Sequence, residues 1–216
     1  MIAKKKALFS QFLVQLTMFL VIPISVVFLN ENERTVWLIF FTITTLNPIL
    51  LLGFESTIFR LASYIAGGAT TLQSEGLSKI DFNSNVDIGL FCTFTNSLKS
   101  IFFRLSIAST LIMYLAGNIY FELIKSNSIL PHNVLPSWLI FSLAMLINNL
   151  GIYKDSVLRG FDRQEFVNTA YIFSRLTLLF LAVSSFFIFH DGLMNLVISY
   201  LFAIILLRFI INQQCI

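Results

Sequence analysis

The residues in this chain with the most chemical potential are cations placed where cations are expensive. Arg175 lies ten positions after Glu165 in an apolar run, about 15 Å along a helix, which puts it near the middle of a bilayer. An unpaired guanidinium at that depth costs at least a few kcal/mol, so it must face protein or a wet cavity. Asn168, Tyr171 and Arg175 are spaced i, i+3, i+7 and share one helix face. Leu176, Leu178, Leu179 and Leu181 cover much of the rest. Such a polar stripe has two readings: it lines a solvated cavity that holds an anion, or its arginine is a structural ion-pair partner or snorkels.

Arg60 ends the segment Gly53-Phe54-Glu55-Ser56-Thr57-Ile58-Phe59-Arg60. Glu55 and Arg60 are about 140° apart on a helix, so they are not a simple intrahelical pair, and each needs a partner on another helix or water. Arg60 is therefore a cavity candidate or an interfacial anchor. Arg104 lies early in its apolar run, where snorkelling to the headgroups is easy. Asn148, Ile152 and Asp155 fall on one face, and Asp155 and Arg159 are spaced as an i, i+4 pair. Amides between helices often serve as interhelical glue; Gln11 and Gln15, also i, i+4, carry the same ambiguity. The candidate cavity residues are thus Arg60, Arg104, Asn148, Asn168, Tyr171 and Arg175.

No arrangement points to catalysis. The chain has no H-E-x-x-H, G-x-S-x-G, Walker A or D-x-D pattern, so no enzymatic activity and no cofactor are expected. Cys92 and Cys215 are far apart with no C-x-x-C spacing, and read as buried or free thiols. His132 and His190 fall in short polar breaks and make no ligand cluster, so no metal site is expected. Glu75, Asp81 and Asp87 sit in the longest polar loop, 67–99, and read as solvated surface.

The elements that must position these residues follow from composition. The chain has 216 residues, 57% of them hydrophobic and 12% charged, against roughly 25% charged in ordinary soluble domains. Mean hydropathy is +0.85. These values exclude a soluble enzyme, a disordered chain and a disulfide scaffold, and the net charge of +3 is too small to imply a nucleic-acid partner. The expected fold class is all-α, a polytopic protein of the lipid bilayer. Its six membrane-spanning helices are expected at about 7–29, 36–66, 100–120, 137–157, 166–189 and 193–211, in one lobe over 1–216. Span two is longer than one bilayer thickness, so Pro48 and Gly53 are expected to bend it or let it protrude. An amphipathic lead-in at 87–99 precedes span three, and a loop with two prolines at 122–136 precedes span four. The first run is longer than the apolar core of a signal peptide, about 7–15 residues, and reads as an uncleaved span. A β-barrel is excluded by runs that are continuous rather than alternating.

Orientation follows from Lys and Arg. With both termini in the cytoplasm, inner ends and loops carry Lys4, Lys5, Lys6, Lys79, Lys99, Lys154, Arg159, Arg163 and Arg208, and outer loops only Arg34 and Lys125, nine against two.

Three stretches carry a resemblance. A basic N-terminus leads into a long apolar span with Pro23 near its outer end. Glu31 and Glu33 then precede the aromatic Trp37, and span two closes with Leu52-Gly53-Phe54-Glu55-Ser56-Thr57-Ile58-Phe59-Arg60-Leu61-Ala62-Ser63. The third is the turn Leu158-Arg159-Gly160-Phe161-Asp162-Arg163-Gln164-Glu165-Phe166-Val167-Asn168. In these features the chain resembles the N-terminal half of polysaccharide exporters of the O-antigen flippase type, in the multidrug/oligosaccharidyl-lipid/polysaccharide exporter superfamily. It departs from the family at Arg34-Thr35, where tyrosine-glycine is common, and in length, since those exporters have two six-helix lobes.

The resemblance implies export of an undecaprenyl-pyrophosphate-linked oligosaccharide across a bacterial inner membrane, for surface polysaccharide such as O-antigen or lipopolysaccharide. Two lobes would rock about a cationic cavity whose arginines grip the pyrophosphate. The missing lobe would come from another chain or a homodimer, the chain itself being a truncated half-transporter. The alternatives are a multidrug or cation exporter lobe, which favours acidic cavity residues, a membrane enzyme of polysaccharide assembly, and a non-transporting remnant.

Overall fold

The computed structural model describes residues 2–51, 53–72, 86–125, 130–188 and 192–214. Glu75, Lys79, Asp81, His190 and Cys215 lie outside the described residues, as do parts of the expected loops 67–99 and 122–136. Among the described residues there are eight helices and no strand: α1 (Ile2–Phe19), α2 (Val21–Phe28), α3 (Glu31–Leu50), α4 (Phe54–Ala66), α5 (Ile88–Lys125), α6 (Val134–Gly160), α7 (Gln164–Ile188) and α8 (Gly192–Asn212).

The helix ends have local causes. Pro23 has no N–H, and its ring crowds the carbonyl four residues earlier. That carbonyl belongs to Phe19, where α1 stops before α2 resumes the same course. The α3 start is a capping box, in which the Glu33 carboxylate accepts from the Asn30 N–H at 3.2 Å. Between α3 and α4, Gly53 adopts φ +63°, a left-handed conformation that glycine enters without steric cost. At the α6–α7 turn Asp162 takes φ +60°, and Arg163 N–H closes back on the Leu158 carbonyl at 2.9 Å.

Contacts along the helices fix their directions. Ser10 of α1 meets Asn168 near the start of α7, and Phe28 of α2 stacks on Phe186 near the end of α7. Glu33 accepts from the first turn of α8 through the Leu193 N–H, whereas Ala62 of α4 lies against Gly160 at the α6 end. Thus α3 and α4 together run from the α7–α8 end of the bundle to the α6–α7 end. Phe91 of α5 starts beside Phe161, and Gln214 after α8 finishes beside Arg163. Successive passes therefore alternate in direction, and Ser10 and Gln214 sit at the same end.

Five stretches are long and apolar enough to cross a membrane: Phe9–Phe28, Ile88–Ile124, Val134–Gly160, Gln164–Ile188 and Gly192–Asn212. Large apolar side chains such as Phe103, Leu111, Phe180 and Phe187 stand exposed on their outer faces, as lipid-facing residues do. This is an all-α, membrane-embedded, multi-pass protein.

Two readings are refined. The expected second span, 36–66, divides at Gly53, one of the two positions expected to bend it, while position 48, the other, lies inside α3; α3 has the length of a span but not the apolar composition. The deficit comes from Glu31, Glu33 and Arg34 at its start and from Asn47 and four threonines along it; Thr44 and Asn47, with Trp37 and Phe41 on the same face, line a cavity. Second, the amphipathic lead-in at 87–99 is continuous with span three. The resulting 38-residue α5 is about 57 Å long, well beyond the ~30 Å hydrocarbon core, and it absorbs the first residues of the expected 122–136 loop.

Packing concentrates on α6. Phe40, Phe121, Trp138 and Phe141 form an aromatic cluster that is fully or nearly fully buried. Gly117 makes room for it: a Cβ there would lie 2.2 Å from Trp138. Where α4 crosses α6, a Cβ on Gly160 would meet Ala62 at 2.5 Å.

Candidate functional site

α2, α3, α6, α7 and α8 line a partly open cavity of about 340 Å3. Its walls are aromatic and amide-bearing, with Trp37, Phe141, Tyr171 and Tyr200 beside Asn47, Asn148 and Arg175.

Arg175 projects from α7 into the cavity, with its guanidinium carbon 5.9 Å from the centre of the Tyr171 ring. One N–H donates to the Val14 carbonyl of α1. Among the described residues no carboxylate pairs with it. A guanidinium carries five N–H donors, so one bond to a carbonyl leaves both the charge and most of the donors uncompensated.

Next to it lies a compensated charge. Arg208 of α8 and Asp155 of α6 form a buried ion pair, Nη1 to Oδ1 at 2.7 Å. The second Asp155 oxygen accepts from the Tyr171 hydroxyl at 2.6 Å. The second Arg208 nitrogen, Nη2, donates to Asn148 Oδ1 at 2.7 Å. Gly151 permits this arrangement, since a Cβ there would sit 2.7 Å from Arg208 Cδ. Beside the pair, Asn47 and Asn149 exchange amide hydrogen bonds at 2.7 and 3.0 Å, tying α3 to α6. The small hydroxyls are spent on backbone: Ser174 donates to the Ala203 carbonyl at 2.7 Å and Thr44 to the Phe41 carbonyl at 2.6 Å.

Of the six candidates read from sequence, the fold brings Asn148, Tyr171 and Arg175 to one cavity. Asn168 shares a helix face with the last two but is buried against α1, donating to Ser10 Oγ at 2.9 Å. Arg60 on α4 and Arg104 on α5 are exposed on the outside of the bundle and do not line this cavity. Asp155 pairs with Arg208 rather than with Arg159, so the i, i+4 spacing misassigns it. Arg208 is not an interfacial charge: it is 6% exposed. The available signal was its setting, Ile-Ile-Leu-Leu-Arg-Phe-Ile-Ile, as apolar as that of Arg175. Asn47, Trp37 and Tyr200 carried no distinguishing signal, because aromatics and single amides are common throughout the chain.

Compared with known protein families, with curated proteins and with solved structures, the chain matches none.

The arrangement is chemically better suited to an anion than to a cation: both oxygens of Asp155 are occupied, by Arg208 and the Tyr171 hydroxyl, while the cavity-lining guanidinium of Arg175 has no carboxylate partner among the described residues. The aromatic walls present flat apolar faces of the kind on which the C–H faces of sugar rings stack.

Proposed function

We propose that the chain is one lobe of an exporter that flips an oligosaccharide carried on undecaprenyl pyrophosphate across a bacterial inner membrane, for surface polysaccharide such as O-antigen. In this reading the α3–α4 pass is a sixth, broken crossing, and both termini are cytoplasmic. The observation that carries the proposal is Arg175, a cavity-lining guanidinium with no carboxylate partner among the described residues. Guanidinium groups bind phosphate oxygens through paired N–H bonds, and a pyrophosphate supplies the missing counter-charge. The aromatic lining adds a surface for sugar rings. The cavity has room for a headgroup rather than a whole oligosaccharide. The remainder would lie in the space shared with a second lobe, from another chain or a second copy, since exporters with alternating access use two bundles about one site.

The test is binding by the purified chain in lipid nanodiscs, read by native mass spectrometry with undecaprenyl pyrophosphate and undecaprenol as competing probes. The pyrophosphate is expected to be retained preferentially, lost in Arg175→Ala and partly kept in Arg175→Lys, where a point charge replaces the fork. Equal retention of the alcohol, or unchanged binding by Arg175→Ala, would refute the reading. Preferential binding of a lipophilic cation such as tetraphenylphosphonium would favour the cation-exporter alternative instead.

A further inference from the structure

We propose that Asp155 and Arg208 are a positioning pair that locks the Asn148 carboxamide with its N–H2 towards the cavity, making Asn148 a second donor for an oxyanion beside Arg175. The inference rests on the pyrophosphate reading above and deepens it.

An asparagine amide is ambidextrous, with an acceptor oxygen and a two-donor nitrogen of nearly the same shape. What it offers a ligand depends on which end is held elsewhere. Here the answer is fixed by chemistry, because a guanidinium can only donate. Arg208 Nη2 bonds at 2.7 Å, so the atom it meets must be the Asn148 oxygen. The nitrogen is then the end left over. It has no protein acceptor among the described residues and is not among the buried unsatisfied atoms, and its residue lines the cavity. A free donor pair therefore opens on the same space as Arg175.

Arg208 cannot rotate away from this task. Its other terminal nitrogen is held by Asp155 Oδ1 at 2.7 Å, and its chain lies against Gly151. Asp155 is in turn held from the far side by the Tyr171 hydroxyl at 2.6 Å. That bond also consumes the Tyr171 proton, so towards the cavity the phenol can only accept. Arg175 and Asn148 thus bring donors to the cavity from two different helices, alongside Trp37 and Asn47, which also carry N–H groups in the lining. This selects a ligand with several acceptor oxygens over one with hydroxyl donors.

The geometry separates two roles. Asn148 would touch the ligand, whereas Asp155 and Arg208 would act through it. Lysine at position 208 keeps the ion pair with Asp155, but as a point charge it lacks the fork that serves two acceptors at once.

The experiment uses the full chain in nanodiscs with undecaprenyl pyrophosphate, inorganic pyrophosphate and undecaprenol as probes. It compares Asn148→Ala, Arg208→Lys, the combination and Arg175→Ala. Asn148→Ala is expected to weaken pyrophosphate binding about tenfold or more, the worth of one hydrogen bond to a charged group, without changing undecaprenol binding. Arg208→Lys is expected to weaken it severalfold, with no further loss when combined with Asn148→Ala, because both act on one donor. Thermal melts of each variant report on folding, and Asn148→Ala alone keeps the test decisive if Arg208→Lys does not fold. Parallel losses for inorganic pyrophosphate place the recognition on the oxyanion rather than the lipid. Wild-type binding by Asn148→Ala while Arg175→Ala has lost it would overturn the inference and leave the exporter reading standing. Full additivity of the two losses would overturn the positioning role. Failure of the wild type to prefer pyrophosphate to alcohol would overturn both.

Discussion

Removing Asp155 should be among the most destabilising single changes in this chain. Its side chain is 5% exposed and that of Arg208 is 7% exposed, with 2.7 Å between Oδ1 and Nη1. In Asp155→Ala the guanidinium stays buried with only Asn148 as acceptor, and its Nε already lacks a partner. The Tyr171 hydroxyl loses its acceptor as well. Breaking one side of a buried pair costs about 3–5 kcal/mol, because the remaining charge is stranded. Replacing both partners by apolar residues of similar volume is often neutral or stabilising. Asp155→Ala should therefore lose about 3–5 kcal/mol, while Asp155→Leu with Arg208→Met should return to within about 1 kcal/mol of the parent. The measurement is equilibrium unfolding in mixed micelles with increasing dodecyl sulfate, followed by helical circular dichroism. A loss below about 1 kcal/mol in the single variant, or a double variant as weak as the single, would refute the reasoning; the guanidinium would then be reaching water or lipid headgroups that its burial denies it.

Gly117→Ala should cost about 1–3 kcal/mol as overpacking, since its Cβ would fall 2.2 Å from Trp138 and the indole is also held by its bond to the Tyr114 carbonyl. The same unfolding assay checks it, and an unchanged midpoint would show that α5 and α6 are not in the described contact. Asn32 and Cys92 stand at opposite ends of the bundle, next to Glu33 and Phe91 respectively. In intact cells, an impermeant thiol reagent should label a cysteine at position 32 in a Cys92→Ser background but not the native Cys92. Labelling of Cys92 alone would reverse the proposed orientation.

Much of this protein is legible from its residues one at a time. A charged fraction of 12% against 57% hydrophobic leaves too little polar surface for a water-soluble fold, so the membrane follows from composition, and the helical class from apolar runs that are continuous rather than alternating. Gly53 marks a helix break because it acts on its own backbone, a local effect that needs no partner; Pro23 acts in the same way, although the first run, 7–29, reads as one span. The unusual depth of Arg175 is likewise a count along one helix. What sequence could not supply is who meets whom. Helical spacing places Asn168, Tyr171 and Arg175 on one face, yet a helix face is wide enough for Asn168 to turn towards α1 while the other two turn into the cavity. Spacing also offers Arg159 to Asp155, since an i, i+4 neighbour is always within reach on an isolated helix. The bundle instead brings Arg208 from 53 residues away, and a guanidinium shut off from water makes the stronger claim on a buried carboxylate than one near a helix end. The polarity of the cavity was decided there. Whether the Asn148 amide offers its oxygen or its nitrogen is invisible in a sequence, and it is settled only when a group that can do nothing but donate is packed against one side of it.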